Sequence, residues 1–235
     1  MKDKDQKKSD RQKKTPLFSF RYLAYDIIRL TAAIPGLIWF RPKKIYASPA
    51  AKKKIRGGAM IMSNHTGFFD PMYLLLGIWY RRPRFVATKE LFSNRFKRFL
   101  FTKCFMCIEI DRERFGLATF REIVGRMKSG QLLGMFPEGH INRADGVGEF
   151  KSGVVMMAQK AGVPVVPIYI VRRKGFFGRL KFVIGEPIDV DKTAEELGVS
   201  KKDYDAIAAY LRKKENELLE LGENKKGKKA GKDGK

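Results

Sequence analysis

Between residues 59 and 184 the chain is divided into short apolar runs separated by helix-length stretches, and no other feature narrows its fold as far. The runs at 59–63, 84–88, 106–110, 132–136, 165–171 and 180–184 have strand length, and 132–136 reads as buried on both sides. Between them, residues 71–80, 94–102, 115–129 and 153–161 read as helices. Pro71 suits a first turn, while Gly130 and Gly162 mark ends. A long charged helix is expected over 201–221. Strands alternating with helices predict an α/β fold: a single domain over residues 49–221, with a central mixed β-sheet flanked by helices.

Charge limits the partners. The 49 Lys and Arg residues exceed the 25 Asp and Glu residues by 24. Residues 1–14 and 222–235 each carry +4, which leaves +16 on the part that folds. With 44% hydrophobic residues, a wholly disordered chain is excluded. The excess calls for an anion: nucleic acid, a membrane face or a phosphorylated substrate. Nucleic acid is not expected, because there is no recognition motif and no strand in which aromatic and basic residues interleave.

Residues 16–48 form the one candidate membrane element, but Arg21, Asp26 and Arg29 interrupt it. Its uninterrupted part, 30–40, is too short to cross a bilayer. Leu17, Phe18, Phe20, Tyr22, Leu23, Ile27, Ile28, Leu30 and Ile34 suit an amphipathic helix lying in an interface, with a kink or turn at Pro35-Gly36. A first helix packed on a soluble core is the alternative. Residues 1–15 and 222–235 read as basic disordered tails. The amino end lacks the apolar stretch of a secretory signal, so export is not expected. The site expected is the cytoplasmic face of the cell membrane, held peripherally or monotopically.

Cys104 and Cys107 have C-x-x-C spacing without the flanking residues of a redox pair, and read as buried and inert. No glycine-rich nucleotide cradle and no G-x-S-x-G elbow is present. Ser63 therefore lacks the setting of a nucleophile. The two histidines both fall at strand-to-loop junctions. Asp70 follows His65 by five residues, across a loop containing Gly67. Folded back, that carboxylate would accept the Nδ1 proton and leave Nε2 as a general base. No separate nucleophile is then needed if the substrate brings its own hydroxyl. His65, Asp70, Glu138 and His140 lack a reliable fourth partner for a metal.

The block from Asn64 to Pro71, with His65 and Asp70 as its fixed residues, resembles the N-H-x-x-x-x-D block of the glycerolipid acyltransferases. Further blocks follow in that family's order: Lys89-Glu90-Leu91-Phe92, Ile110-Asp111-Arg112, Phe136-Pro137-Glu138-Gly139, Phe150-Lys151-Ser152-Gly153 and Val163-Pro164-Val165-Val166-Pro167. The resemblance implies transfer of a fatty acyl group from acyl-CoA or acyl carrier protein to the sn-2 hydroxyl of lysophosphatidate, forming phosphatidate, with no cofactor. It implies His65 as base, oriented by Asp70, and Asn64, Lys89, Arg112, Glu138, Gly139 and Arg143 as substrate-binding residues. An oxyanion would take amide donors from the loop at Gly67 or from the helix after Pro71. The lysophospholipid acceptor and an anionic membrane surface are the partners implied.

This chain departs from the family after Gly139. Where Thr-Arg-Ser is usual it has His140-Ile141-Asn142, with Arg143 displaced by one position. Met106 or Cys107 replaces a common Gly, and Glu109 replaces an apolar residue. Another lysophospholipid or a lyso-aminolipid is the alternative acceptor. A non-catalytic lipid- or nucleic-acid-binding basic protein is the alternative of another class.

Overall fold

The computed structural model describes residues 23–111, 115–142, 146–171, 175 and 178–230. Expectations for residues 1–22, Arg112, Arg143 and the last five residues lie outside them. In chain order the helices are α1 (Leu23–Phe40), α2 (Asp70–Gly77), α3 (Arg95–Phe99), α4 (Leu117–Lys128), α5 (Ser152–Ala161), α6 (Val190–Leu197) and α7 (Tyr204–Ala230). The strands are β1 (Lys43–Tyr46), β2 (Ala59–Ser63), β3 (Arg84–Thr88), β4 (Ile108–Ile110), β5 (Leu132–Met135), β6 (Val165–Val171) and β7 (Lys181–Ile184).

The strands form one mixed sheet in the order β1-β7-β6-β2-β5-β3-β4. β2 lies in the middle, parallel to both β5 and β6, with all five residues buried. Its side chains still alternate. Met60 and Met62 enter the core under α4, α5, α6 and α7, whereas Ala59 and Ile61 enter the core under α1 and α2. Ile61 and Met62 have no exposure, and such burial contributes roughly 1.5–3 kcal/mol per side chain. β7 runs antiparallel to β6, and β1 is parallel to β7 at the edge. The C-terminal ends of β2, β3, β5 and β6 therefore share one end of the sheet, where open α/β sheets bind ligands.

Three elements differ from expectation. β1 falls inside the stretch read as a membrane segment, because Lys43-Lys44-Ile45-Tyr46 has only Ile45 buried and gives too short an apolar signal. α6 was not foreseen. It is short and highly charged, although Asp189 caps its start through the amides of Asp191 and Lys192. α7 continues past Leu221 to Ala230, into the segment read as a tail.

α1 also runs on through Pro35-Gly36, where a kink or turn was expected. Gly36 instead permits close approach to α2, since a Cβ there would lie 3.2 Å from both terminal carbons of Leu76. Asp26, which breaks the apolar pattern in sequence, is fully buried. It accepts two bonds from Arg82, at 2.9 Å from Nε and 2.7 Å from a terminal nitrogen. At the other end, Phe40 meets Tyr73 edge-on. The face held away from the domain carries Leu23, Ile27, Leu30, Ile34 and Ile38, an exposed apolar stripe at helical spacing. No described helix is long and apolar enough to cross a membrane.

Removing one partner of a buried ion pair leaves the other charge uncompensated. Asp26→Ala or Arg82→Ala is therefore expected to cost about 3–5 kcal/mol, measurable by denaturant unfolding.

Candidate functional site

β2 ends at Ser63, and the next seven residues wrap around the Asp70 carboxylate. Its Oδ2 accepts bonds from the backbone amides of Thr66 at 2.6 Å and Gly67 at 2.8 Å, and lies 3.0 Å from His65 Nδ1. Asp70 is buried at the first position of α2, where the helix dipole favours negative charge. Three donors and the dipole compensate its burial. With Nδ1 committed, Nε2 is the nitrogen left to exchange a proton with a ligand. The His65 ring is stacked on Phe136 at 4.1 Å between centroids, which fixes its plane, and its side chain keeps 18% exposure.

The backbone of His65 is anchored as well. Its amide donates to Glu138 Oε1 at 3.3 Å, and its carbonyl accepts from the Asn142 amide at 2.7 Å. The second Glu138 oxygen accepts from the Gly148 amide at 3.2 Å. Glu138 is buried and each of its oxygens receives a backbone amide, so it braces the loops at 65 and 148, where substrate contact was expected. Asn64, also expected to bind substrate, is anchored within the fold. It is 1% exposed, its Oδ1 accepts from the Ile170 amide and its Nδ2 donates to the Ile170 carbonyl. Its side chain extends the β2–β6 pairing. Ser63 is fully buried against Asn64, which removes it as a nucleophile.

Beside His65 lies a cavity of about 290 Å³, lined by Val86, Ile110, Phe115, Phe136, Val154 and Met157 among others, with Lys151 as its cation. Ile110 and Phe115 flank Arg112 in the chain; Arg112 itself, like Arg143, lies outside the described residues. Lys89 is exposed and donates to Asp111 at 2.8 Å. That hydrogen bond, and then the charge of Asp111, holds its ammonium above the ordinary lysine value. Lys89 does not line the cavity. Gly139 does, with φ +72, and a Cβ there would lie 2.8 Å from Lys151 Cε. His140 is exposed, its Nδ1 2.9 Å from the Glu138 carbonyl oxygen. The Thr66 and Gly67 amides are spent on Asp70, so neither is free to receive an oxyanion.

Burial pushes the Cys107 thiol up to about 12, in keeping with the inert reading. No group of three or more His, Cys, Asp or Glu poised for a metal occurs among the described residues. Lys151 was quoted in sequence only as part of a block. Its role emerges from position, because it reaches the cavity from the start of α5.

A histidine held by a buried carboxylate thus stands at the C-terminal ends of parallel strands, beside an apolar cavity. Residues 43–171 match the Acyltransferase family model, and the chain belongs to that family. It is 32% identical over 136 residues to a 1-acyl-sn-glycerol-3-phosphate acyltransferase of Bacillus subtilis, covering 56% of this chain and 67% of the relative. A protein of the same name from Borreliella burgdorferi is 24% identical, with 65% of this chain and 61% of that one covered, so the chain spans about three fifths of that relative. The crystal structure of the 1-acyl-sn-glycerophosphate (LPA) acyltransferase from Thermotoga maritima shares the fold, with a TM-score of 0.58 and 20% identity over 83% of this chain and 78% of that chain.

Because position 139 requires left-handed backbone, Gly139→Ala is expected to lower stability by about 1–2 kcal/mol, and calorimetric melting measures it.

Proposed function

We propose that this chain transfers a fatty acyl group from acyl-CoA or acyl carrier protein to the sn-2 hydroxyl of lysophosphatidate, giving phosphatidate. The observation that carries this reading is the 3.0 Å contact of His65 Nδ1 with the buried Asp70, beside an apolar cavity holding one lysine. In this mechanism His65 Nε2 takes the hydroxyl proton as the acceptor oxygen adds to the thioester carbonyl. The tetrahedral intermediate collapses with cleavage of the carbon–sulfur bond. The departing thiolate then recovers the proton from the imidazolium. Asp70 holds the tautomer and stabilises the charged ring between these steps. Atoms and protons balance without a cofactor.

The names of the relatives support lysophosphatidate as acceptor. Its phosphate requires cations, and Lys151 is the one on the cavity wall among the described residues. Arg112 and Arg143 remain candidates from the sequence. His140-Ile141-Asn142 motivates a second reading, another lysophospholipid or a lyso-aminolipid at the same site, which acceptor competition separates from the first.

The apolar stripe of α1 and the nearby exposed Phe68, Phe69 and Met72 support peripheral attachment to a membrane. Basic residues close to an anionic surface add roughly 1 kcal/mol each, which suits the net charge of +24. The reading places this attachment on the cytoplasmic face.

Two measurements test it. Thiol release from an acyl thioester should fall by about 10²–10⁴ in His65→Ala, as for loss of a general base, and undiminished turnover would sink the mechanism. Lys151→Met should raise KM for lysophosphatidate by about tenfold or more, the equivalent of one charge-assisted bond, while leaving KM for the thioester much less changed.

A further inference from the structure

Glu215, on α7, is a fully buried carboxyl that the mechanism above does not use and that, unlike Asp26, has no arginine bonded to it among the described residues. Neither oxygen makes a hydrogen bond of ordinary geometry, although the Asn64 backbone amide lies close enough to favour the ionised form. A carboxyl in that condition is costly to keep in a core. Its position connects it to the site. One turn earlier on the same helix, Arg212 donates twice to the Val147 carbonyl, at 3.2 and 3.0 Å. The next amide, that of Gly148, is the one held by Glu138, whose other oxygen receives the His65 amide. α7 thus grips the back of the structure on which the His65 loop rests.

We propose that Glu215 is a positioning residue: a neutral carboxylic acid behind the Glu138 carboxylate, which leaves Glu138 seated on the amides of His65 and Gly148 for as long as it keeps its proton. Ionised, it would place a second negative charge in the same dry compartment. Repulsion would then drive Glu138 from the two amides and shift His65 relative to Asp70. Burial, followed by the charge of Glu138, pushes the Glu215 carboxyl well above the ordinary range, and the Asn64 backbone amide draws it partly back. On the elements packed here, Arg212 of α7 donates to the Val147 carbonyl, Lys151 at the start of α5 lines the cavity, and Tyr169 of β6 belongs to the apolar cluster with Val147 and Leu218.

The sign of the stability effect follows. A carboxyl whose folded value is raised contributes stability below its unfolded value, near 4.5, and loses it as pH climbs through the raised value. Glutamine has the same shape and no proton to lose. Glu215→Gln should melt progressively higher than wild type as pH rises above the ordinary carboxylate range.

The proposal rests on the acyl-transfer reading for its kinetic arm only. With thioester and lysophosphatidate, Glu215→Gln should keep most of kcat and remain active further into the alkaline range than wild type. Glu215→Leu should lose about tenfold to a hundredfold in kcat, as for a displaced reacting group, with KM little altered. A folded Glu215→Leu with wild-type kcat and pH profile would overturn the proposal, and so would a Gln variant as impaired as the Leu variant. If the Leu variant does not fold, an alkaline limb unchanged in Glu215→Gln overturns it. The second arm does not depend on the reaction. The chain has two histidines, so the imidazole signals of His65 can be followed by NMR. At alkaline pH, wild-type His65 should diverge from Glu215→Gln. Identical His65 signals across the range would overturn the positioning role, whereas a wild type without acyl transfer would refute only the reaction.

Discussion

The Asp70 carboxylate is the interaction on which the site depends. One buried oxygen collects His65 Nδ1 and the amides of Thr66 and Gly67, and this closes a tight loop between the central strand and α2. A charge with so little exposure is tolerable because three donors and the start of a helix surround it. The same bonds that make it stable set the ring's orientation. Folding and orientation of the His65 ring are therefore one event at this position.

Around that loop the protein places a second layer of fixed groups. Asn64 completes the pairing of β2 with β6, Phe136 supports the ring, and Glu138 ties the His65 amide to residue 148. These groups hold a histidine whose Nε2 side borders a cavity with an apolar lining and one lysine. On the opposite face of the sheet, α1 is fastened through the buried Asp26–Arg82 pair and keeps its apolar stripe outward. A charge that breaks the hydrophobic pattern in sequence is thus the clasp of the helix in space.

Much of this was legible in advance. The strands at 59–63 and 165–171 have the bounds their apolar runs suggest, because central strands buried on both faces leave an unbroken hydrophobic signature, and 84–88 matches with alternate residues buried. The edge strand β1 and the charged α6 left none, since their residues are chosen for exposure as much as for burial. Pro35-Gly36 read locally as a kink or turn. In the fold the helix passes through it, held at both ends, and the glycine serves close packing on Leu76.

The sequence alone determined the alternation of strands and helices, the order of the blocks and the pairing of His65 with Asp70, because each depends on residues close together in the chain. Only the tertiary structure decided what the buried polar groups do. Asn64 and Glu138 carry the residue types of ligand-binding positions, yet their partners, Ile170 and Gly148, lie at other points in the chain. Glu215 lies on a helix at the far end of the described chain and becomes a neighbour of the site only when α7 packs across the sheet. A side chain's polarity is written locally. Which hydrogen bonds consume it is settled by contacts between distant segments, and that leaves the ligand to the groups that remain.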